Sequence, residues 1–244
     1  MNSKMTVEAK LIIKELQALG KPSVAKQMSY FALPVEKAFG INTPVLRKFA
    51  KKLGKNHELA ISLFKSGYHE ARVLAALIAD QSKFNEELMD EWTHQFDNWG
   101  VCDCCCGEVF TDTPYAFDKA IEWSKSEKEF VKRAGFALMA ELAMHDKKAK
   151  DQKFIPFFRR VETEAYDERN FVKKAVNWAL RQIGKRNSAL HEKAIASANK
   201  IKLQPHRSAK WIAADALREL NNEKIIERIN KKSSKFKVQG FKAC

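Results

Sequence analysis

Residues 71–77 read ARVLAAL, and the same arrangement returns at 132–138 (KRAGFAL), 173–180 (KKAVNWAL) and 207–213 (RSAKWIA). In each stretch a basic residue precedes small and apolar residues. Apolar residues also recur at helical spacing through most of the chain, while the alternation typical of strands is almost absent. The pattern therefore predicts an all-α fold in which one kind of helix is repeated.

The repeats follow one another at irregular distances of about 40 residues, which is typical of stacked HEAT-like helix pairs. Stacking would bury the Ala and Leu faces and line the basic residues along a common surface. The alternative is that these Lys and Arg side chains only solvate the outer faces of amphipathic helices. We predict a HEAT-like helical repeat solenoid with a concave basic groove, formed by one domain over residues 1–229 and followed by a basic, flexible tail over 230–244.

One helix boundary can be predicted residue by residue. Thr43 is a suitable N-cap, and Pro44 is favoured at the first helical position because its missing N–H has no intrahelical partner there. The residues that follow predict a helix from Val45 to about Leu53, which Gly54 ends.

The chain is strongly basic. Its 244 residues include 44 Lys and Arg against 30 Asp and Glu, a formal charge of +14. Such a surplus favours polyanionic partners through counterion release and predicts nucleic acid as the partner; the alternative is a surplus that only maintains solubility. Charged residues interrupt every apolar run, so no membrane-spanning helix is predicted, and the N-terminus lacks the apolar centre of a secretory signal. We expect a cytoplasmic protein, nucleoid-associated if bacterial, that does not act at a membrane.

The cysteines are concentrated in one segment. Cys102, Cys104, Cys105 and Cys106 lie together, and Cys244 is the last residue. This spacing is unlike a disulfide framework, and no second Cys or His pair completes a tetrahedral zinc site. The interpretation we favour is small side chains packed between helices, with no metal.

A tryptophan and a carboxylate form the first candidate site. Trp99 and Asp103 are four residues apart, so a helix places indole and carboxylate on one face. A carboxylate can stabilise the oxocarbenium-like state that forms when a glycosidic bond breaks and can orient the attacking water, while the indole adds cation–π attraction. The alternative is a core Trp99 beside a helix-terminal Asp103 paired with a lysine.

A second cluster lies in the third repeat. Lys174, Trp178 and Arg181 share one helix face at i, i+4 and i+7. A tryptophan between two cations can stack on a sugar or base while the cations hold phosphates. Core packing of Trp178 with snorkelling cations is the alternative.

Four segments together resemble the AlkD-like DNA alkylation repair glycosylases, over roughly residues 20 to 220. They are Gly40-Ile41-Asn42-Thr43-Pro44-Val45-Leu46-Arg47, the Trp99-x-x-x-Asp103 segment, Phe130-Val131-Lys132-Arg133-Ala134 and Val172 to Arg181. The resemblance implies a HEAT-like solenoid that binds DNA and excises cationic N3- and N7-alkylated purines by hydrolysis, as a monofunctional glycosylase without metal or cofactor.

The resemblance also implies roles for single residues. Trp99 and Trp178 correspond to aromatic walls at the lesion-bearing deoxyribose, Asp103 to the catalytic carboxylate, and Arg133 and Arg181 to phosphate-binding arginines. Further DNA contacts are expected from basic residues of the predicted groove, namely Lys174, Arg47, Arg207 and Lys210.

Two positions depart from the family pattern. Gly100 stands where an acid often follows the tryptophan, and Gln27 lies near the position of an aromatic residue. The alternatives to a glycosylase are a non-catalytic HEAT-repeat protein that recognises damaged or branched DNA, and an adaptor for an acidic protein. We expect a monomer, because a solenoid groove can wrap a duplex alone.

Overall fold

The computed structural model describes residues 5–33 and 35–240, with side chains described as far as Lys231. Within these ranges the chain forms helices and no strands, which confirms the predicted all-α, HEAT-like fold. The α-helices are α1 Val7–Leu19, α2 Pro22–Tyr30, α3 Thr43–Leu53, α4 His57–Phe64, α5 His69–Ile78, α6 Glu86–Thr93, α7 Trp99–Glu108, α8 Ala116–Trp123, α9 Glu129–His145, α10 Ile155–Glu164, α11 Asn170–Gly184, α12 Ser188–Lys202, α13 Arg207–Leu220 and α14 Glu223–Gly240. Short 3-10 helices lie at Gln81–Lys83, Phe110–Asp112 and Asp151–Phe154.

Each of the four repeated stretches lies in a helix of its own: α5, α9, α11 and α13. The helix α11 packs against α9 on one side and against α12 and α13 on another, as expected for stacked helix pairs. The repeat predicted from residues 71–77 onward therefore corresponds to helices of the fold.

Polar side chains begin several helices. An Asn or Thr oxygen accepts a hydrogen bond from the backbone N–H three residues further on, which satisfies one of the free donors of the first turn. These caps are Thr6, Asn56, Asn85, Asn98 and Asn187.

The helix predicted from Val45 to Leu53 begins earlier than expected. It spans Thr43–Leu53, and its N-cap is Asn42 instead of Thr43. Its end was predicted correctly, because Gly54 terminates it with a φ of +71°, a conformation that residues with a Cβ rarely adopt. Pro44 is tolerated in the first turn, where the N–H that proline lacks has no partner within the helix.

The backbone contacts divide the chain into two compact units, residues 1–115 and 116–244. The first unit has an aromatic core: the Phe64 and Trp92 rings stack with centroids 3.9 Å apart, and Phe84 meets Trp92 edge-on at 5.0 Å. The second is built around α9, whose residues from Val131 to Ala140 are all buried.

Parts of two earlier predictions lie outside the described residues. The segment predicted as a flexible tail begins inside α14, but the side chains of residues 232–240 and all of residues 241–244, with Cys244, are not described. The single domain and the flexible tail therefore remain predictions. In the described part of the chain no helix is long and apolar enough to cross a membrane.

Candidate functional site

The first unit presents the predicted tryptophan and carboxylate on α7. Asn98 caps this helix by accepting a hydrogen bond from the Val101 N–H at 3.0 Å, and Trp99 is its first residue. Trp99 and Asp103, one turn apart, are both partly exposed. The indole Nε1 of Trp99 donates to the carbonyl of Phe31 at 2.8 Å, which fixes one edge of the ring. The two predicted catalytic groups of this unit therefore lie on one helix face and are reachable from solvent.

A buried arginine holds the segment before α7. The Arg72 side chain is 4% exposed, its Nη1 lies 2.9 Å from an oxygen of Asp97, and its Nη2 donates to the carbonyl of Gln95. Its guanidinium also lies over the Phe64 ring, 4.9 Å from the centroid. Arg72 is thus a structural anchor for the start of α7, and the expectation that the repeated cations all line one surface fails at this position.

Gly100 has a local explanation. A Cβ built at this position would lie 3.0 Å from Cε1 of His69 and 3.2 Å from a methyl group of Leu33. A side chain at this position would thus need His69 or Leu33 to move. The other departure, Gln27, lies on α2 and is exposed.

Sequence reasoning missed His69. It is buried at the start of α5, and its Nδ1 has no hydrogen-bond partner. Burial lowers the pKa of His69, and the positive charge of Arg72 acts in the same direction, whereas the charges of Glu70 and Asp97 oppose the shift. The ring is therefore favoured in its neutral form next to α7.

Sequence reasoning also missed Glu70. This carboxylate is fully buried and accepts hydrogen bonds from the backbone N–H groups of Phe39 at 2.8 Å, Gly40 at 2.7 Å and Ile41 at 3.1 Å. These amides lead directly into α3, so the Gly40-Ile41 part of the family motif has a structural role.

Arg47, predicted to bind DNA, lies on α3 with 55% of its side chain exposed. It forms an ion pair with Glu108 of α7, and this hydrogen bond raises the pKa of Arg47. The side chain is accessible, but its charge is shared with an acid.

In the second unit the predicted cluster lies on α11. Lys174 is exposed and Trp178 is partly exposed, so the aromatic residue is not enclosed in the core. Arg181 pairs with Glu219 of α13 and lies 3.8 Å from Asp215. Burial would raise the pKa of Glu219, but hydrogen bonds from Lys185 and Arg181 outweigh it and lower that pKa. Lys174 is thus at the surface, whereas Arg181 is only partly exposed and its charge is largely balanced.

Arg133 is buried, with 7% exposed, and donates from Nη1 to the carbonyl of Phe171 at 2.8 Å. Its neighbour Lys132 is 1% exposed and lies 2.8 Å from Glu164 and 3.3 Å from Asp167. Like Arg72, these cations hold the chain that leads into the next repeat, here the start of α11.

The helix α13 carries the last predicted DNA contacts, and Arg207 and Lys210 are both exposed. Between the repeats, Nζ of Lys173 lies 5.2 Å from the centroid of the Trp211 ring, which is 41% exposed. Trp211 is therefore an aromatic residue at the surface, among cations. The sequence alone had shown Trp211 only as part of the repeat.

The cysteine segment is mainly packing. Cys102, Cys105 and Cys106 are fully buried, and burial raises the pKa of the Cys105 and Cys106 thiols. Cys104 is partly exposed. Among the residues that the structure describes, no group of three or more His, Cys, Asp or Glu is placed to hold a metal ion.

The three proposed catalytic residues are divided between the units: Trp99 and Asp103 belong to the first, and Trp178 to the second. The fold and these surfaces define a class, an all-helical repeat protein with surface aromatic residues beside a carboxylate and beside cations. Within that class, a family model described as DNA alkylation repair enzyme matches residues 12–220, and the chain belongs to this family.

Two relatives and a solved structure are also similar to this chain. The protein Lin0241 of Listeria innocua is 26% identical over 191 residues, and Lmo0209 of Listeria monocytogenes is 25% identical over 191 residues. Each alignment covers 77% of this chain and 83% of the relative, and both relatives are named as uncharacterized proteins. A solved structure, described as "a new family of proteins related to the HEAT-like repeat DNA glycosylases with affinity for branched DNA structures", aligns with a TM-score of 0.70 and 25% identity, over 86% of this chain and 94% of that one.

Proposed function

We propose that this protein is a monofunctional DNA glycosylase that hydrolyses the N-glycosidic bond of cationic N3- and N7-alkylated purines in duplex DNA. The observation that carries the proposal is the arrangement on α7, where Trp99 and Asp103 are one turn apart and both reach the surface. Membership of the DNA alkylation repair family supports it.

The chemistry follows from the charge of the substrate. An alkylated purine that already carries a positive charge is a good leaving group, so no strong general acid is needed. As the bond breaks, positive charge moves to the deoxyribose, where the carboxylate of Asp103 stabilises it and orients the attacking water. The indole face of Trp99 attracts the same cationic sugar, and Trp178 is proposed as the second aromatic group.

The DNA backbone is proposed to be held by the exposed cations Lys174, Arg207 and Lys210. Arg47 and Arg181, whose charges are shared with acids, are proposed as weaker contacts. Arg133 was predicted to bind phosphate directly; because it is buried and bonded to Phe171, we propose instead that it positions α11.

The decisive substitution is Asp103→Asn, which keeps the shape of the side chain and removes its charge. We expect release of N7-methylguanine and N3-methyladenine from methylated duplex DNA to fall by about 100-fold or more, because one electrostatic contact to the transition state is lost. Binding to the same duplex should be unchanged. The matched control is Asp112→Asn, an exposed carboxylate of the same unit. Native protein that binds DNA but releases no base would overturn the enzymatic proposal.

A second candidate is a DNA-binding protein that recognises branched DNA without excising bases. It is favoured by the solved relative, which is described as having affinity for branched DNA structures. In this case Asp103→Asn should leave the biological activity of the protein intact, so the same substitution separates the two candidates.

A further inference from the structure

The second unit contains a pocket of about 920 Å³ at the end of α9, the end of α11 and the beginning of α12. Small and apolar residues contribute part of its wall, and six cationic side chains and one carboxylate complete its charged lining. The apolar part is Ala143, Met144, Ala149 and Ala189. The pocket thus combines an apolar surface with a positively charged rim.

Arg186 contributes a guanidinium to the pocket lining, where backbone carbonyls hold it. Its guanidinium donates to backbone carbonyls, at 3.0 Å to Ala143, 2.8 Å to Asp146 and 3.1 Å to Ala149, and it lies over the Phe154 ring at 4.1 Å. Carbonyl groups fix its position but remain neutral, so the guanidinium keeps its charge in the lining, where the charges of Asp151 and Asp146 offset it only in part.

Two more cations add to this charge. Lys147 and Arg228 also line the pocket, and both are exposed. Burial lowers the pKa of Lys147, and the positive charges of Arg186 and Arg228 lower it further. Lys147 thus lies in the positive field of Arg186 and Arg228, and an anion bound between these side chains would relieve the repulsion on Lys147.

The one carboxylate in the lining, Asp151, keeps its negative charge, but the six cationic side chains outnumber it. The side-chain amide of Asn187 donates to the two oxygens of Asp151 at 2.9 and 3.0 Å, and Asn187 also caps α12. The 15-residue helix α12 begins at Ser188, in the pocket wall, so its positive end adds to the potential. Lys185, the remaining cation near this end, is paired with Glu219 at 2.5 Å.

We propose that this pocket binds a nucleotide, with the phosphate between Lys147, Arg186 and Arg228 and the base or sugar against the alanines and Met144. The nucleotide can come from a DNA strand or from solution. The strand source rests on the proposed function and is supported by α11, where Gln182 and Lys185 of the pocket wall continue the face of Lys174 and Trp178.

The test uses the full chain with the paired substitutions Lys147→Gln and Arg228→Gln. Both residues are exposed, so the fold should be retained, and the matched control carries Lys125→Gln and Lys193→Gln, two exposed lysines of the same unit outside the pocket. Thermal melting checks the fold of each variant. The probe for the pocket is deoxyadenosine monophosphate, titrated by calorimetry, with deoxyadenosine as the ligand that lacks the phosphate.

We expect the monophosphate to bind the native protein and the control, with affinity at least about tenfold weaker in the pocket variant. Deoxyadenosine should bind all three proteins equally weakly. No monophosphate binding to the native protein, or equal binding by the pocket variant, would overturn the proposal. This titration does not depend on DNA binding, so it separates failure of the pocket from failure of the proposed function.

The source of the nucleotide is measured by the salt dependence of duplex binding. If a strand occupies the pocket, the slope of log K against log salt concentration should become shallower by about 0.9 for each lost phosphate contact in the pocket variant only. An unchanged slope together with lost monophosphate binding would support the pocket and assign it to free nucleotides.

Discussion

At the scale of single residues, spacing alone predicted that Trp99 and Asp103 would share a helix face, and the structure places them one turn apart on α7. The contact that holds Trp99 could not be predicted, because its partner, the Phe31 carbonyl, is 68 residues away in the sequence. The roles of Glu70 and His69 were not predicted for a related reason. Their roles depend on backbone amides and a glycine that only the fold brings near.

His69 should make stability depend on pH. Its pKa is lowered in the folded protein, chiefly by burial, whereas a histidine in the unfolded chain has a pKa of about 6.5. As the pH falls below that value, the unfolded state takes a proton that the folded state resists, so stability is full above it and declines below it. Between pH 7.5 and 5.5 the free energy of unfolding, measured by urea denaturation, should therefore fall less in His69→Gln than in the native protein.

The matched variant for this measurement is His94→Gln, since His94 is exposed. It should show the same pH dependence as the native protein. Identical curves for the two variants would contradict the assignment of the effect to His69.

At the scale of helices, the end of α3 at Gly54 was predicted, and its N-cap was displaced by one residue, from Thr43 to Asn42. The exposure of the basic residues in the four repeated stretches was predicted less well. Arg72 and Arg133 are buried, whereas Lys174 and Lys210 are exposed. Periodicity identifies the face of a helix on which a cation lies, but it does not show whether the chain leading into the next repeat covers that face.

Two arginines of the first unit allow a test of this difference. The Arg72 side chain is 4% exposed and the Arg47 side chain 55%, although each pairs with a carboxylate. We expect Arg72→Met to lower the free energy of unfolding by about 2 to 3 kcal/mol, because two hydrogen bonds to a charged, buried group are lost. Arg47→Met should lower the free energy of unfolding by about 1 kcal/mol or less, because the ion pair that it removes is exposed.

Urea denaturation measures both values. Hydrogen exchange should also accelerate at the start of α7 in Arg72→Met alone. Equal costs for the two substitutions would show that Arg72 does not anchor this segment.

At the scale of the whole molecule, the formal charge of +14 predicted a polyanionic partner, and the chain belongs to a DNA alkylation repair family. Composition could not indicate which DNA structure is preferred, because charge responds to phosphate density and not to the geometry of a junction. The solved structure that aligns with a TM-score of 0.70 is described as having affinity for branched DNA, so branched DNA is the form to compare with a duplex.

We expect duplex DNA binding to weaken steeply with salt, with a log–log slope of about −3.6 if the four exposed cations Arg47, Lys174, Arg207 and Lys210 each contact a phosphate. A four-way junction and a linear duplex of equal length should be compared in the same titration. Preference for the junction, retained in Asp103→Asn, would favour the branched-DNA candidate. A slope near zero would instead favour an acidic protein as the partner.

The buried cations also bear on how the gene can change in length. Arg72 reaches the segment before α7, and Arg133 and Lys132 reach the chain around the start of α11. An in-frame duplication or loss of one helix pair would separate such a cation from its partner and leave it unpaired inside the protein. Copy-number variation, common in repeat genes, should therefore be rare here, and length differences between homologous genes should fall within connecting loops.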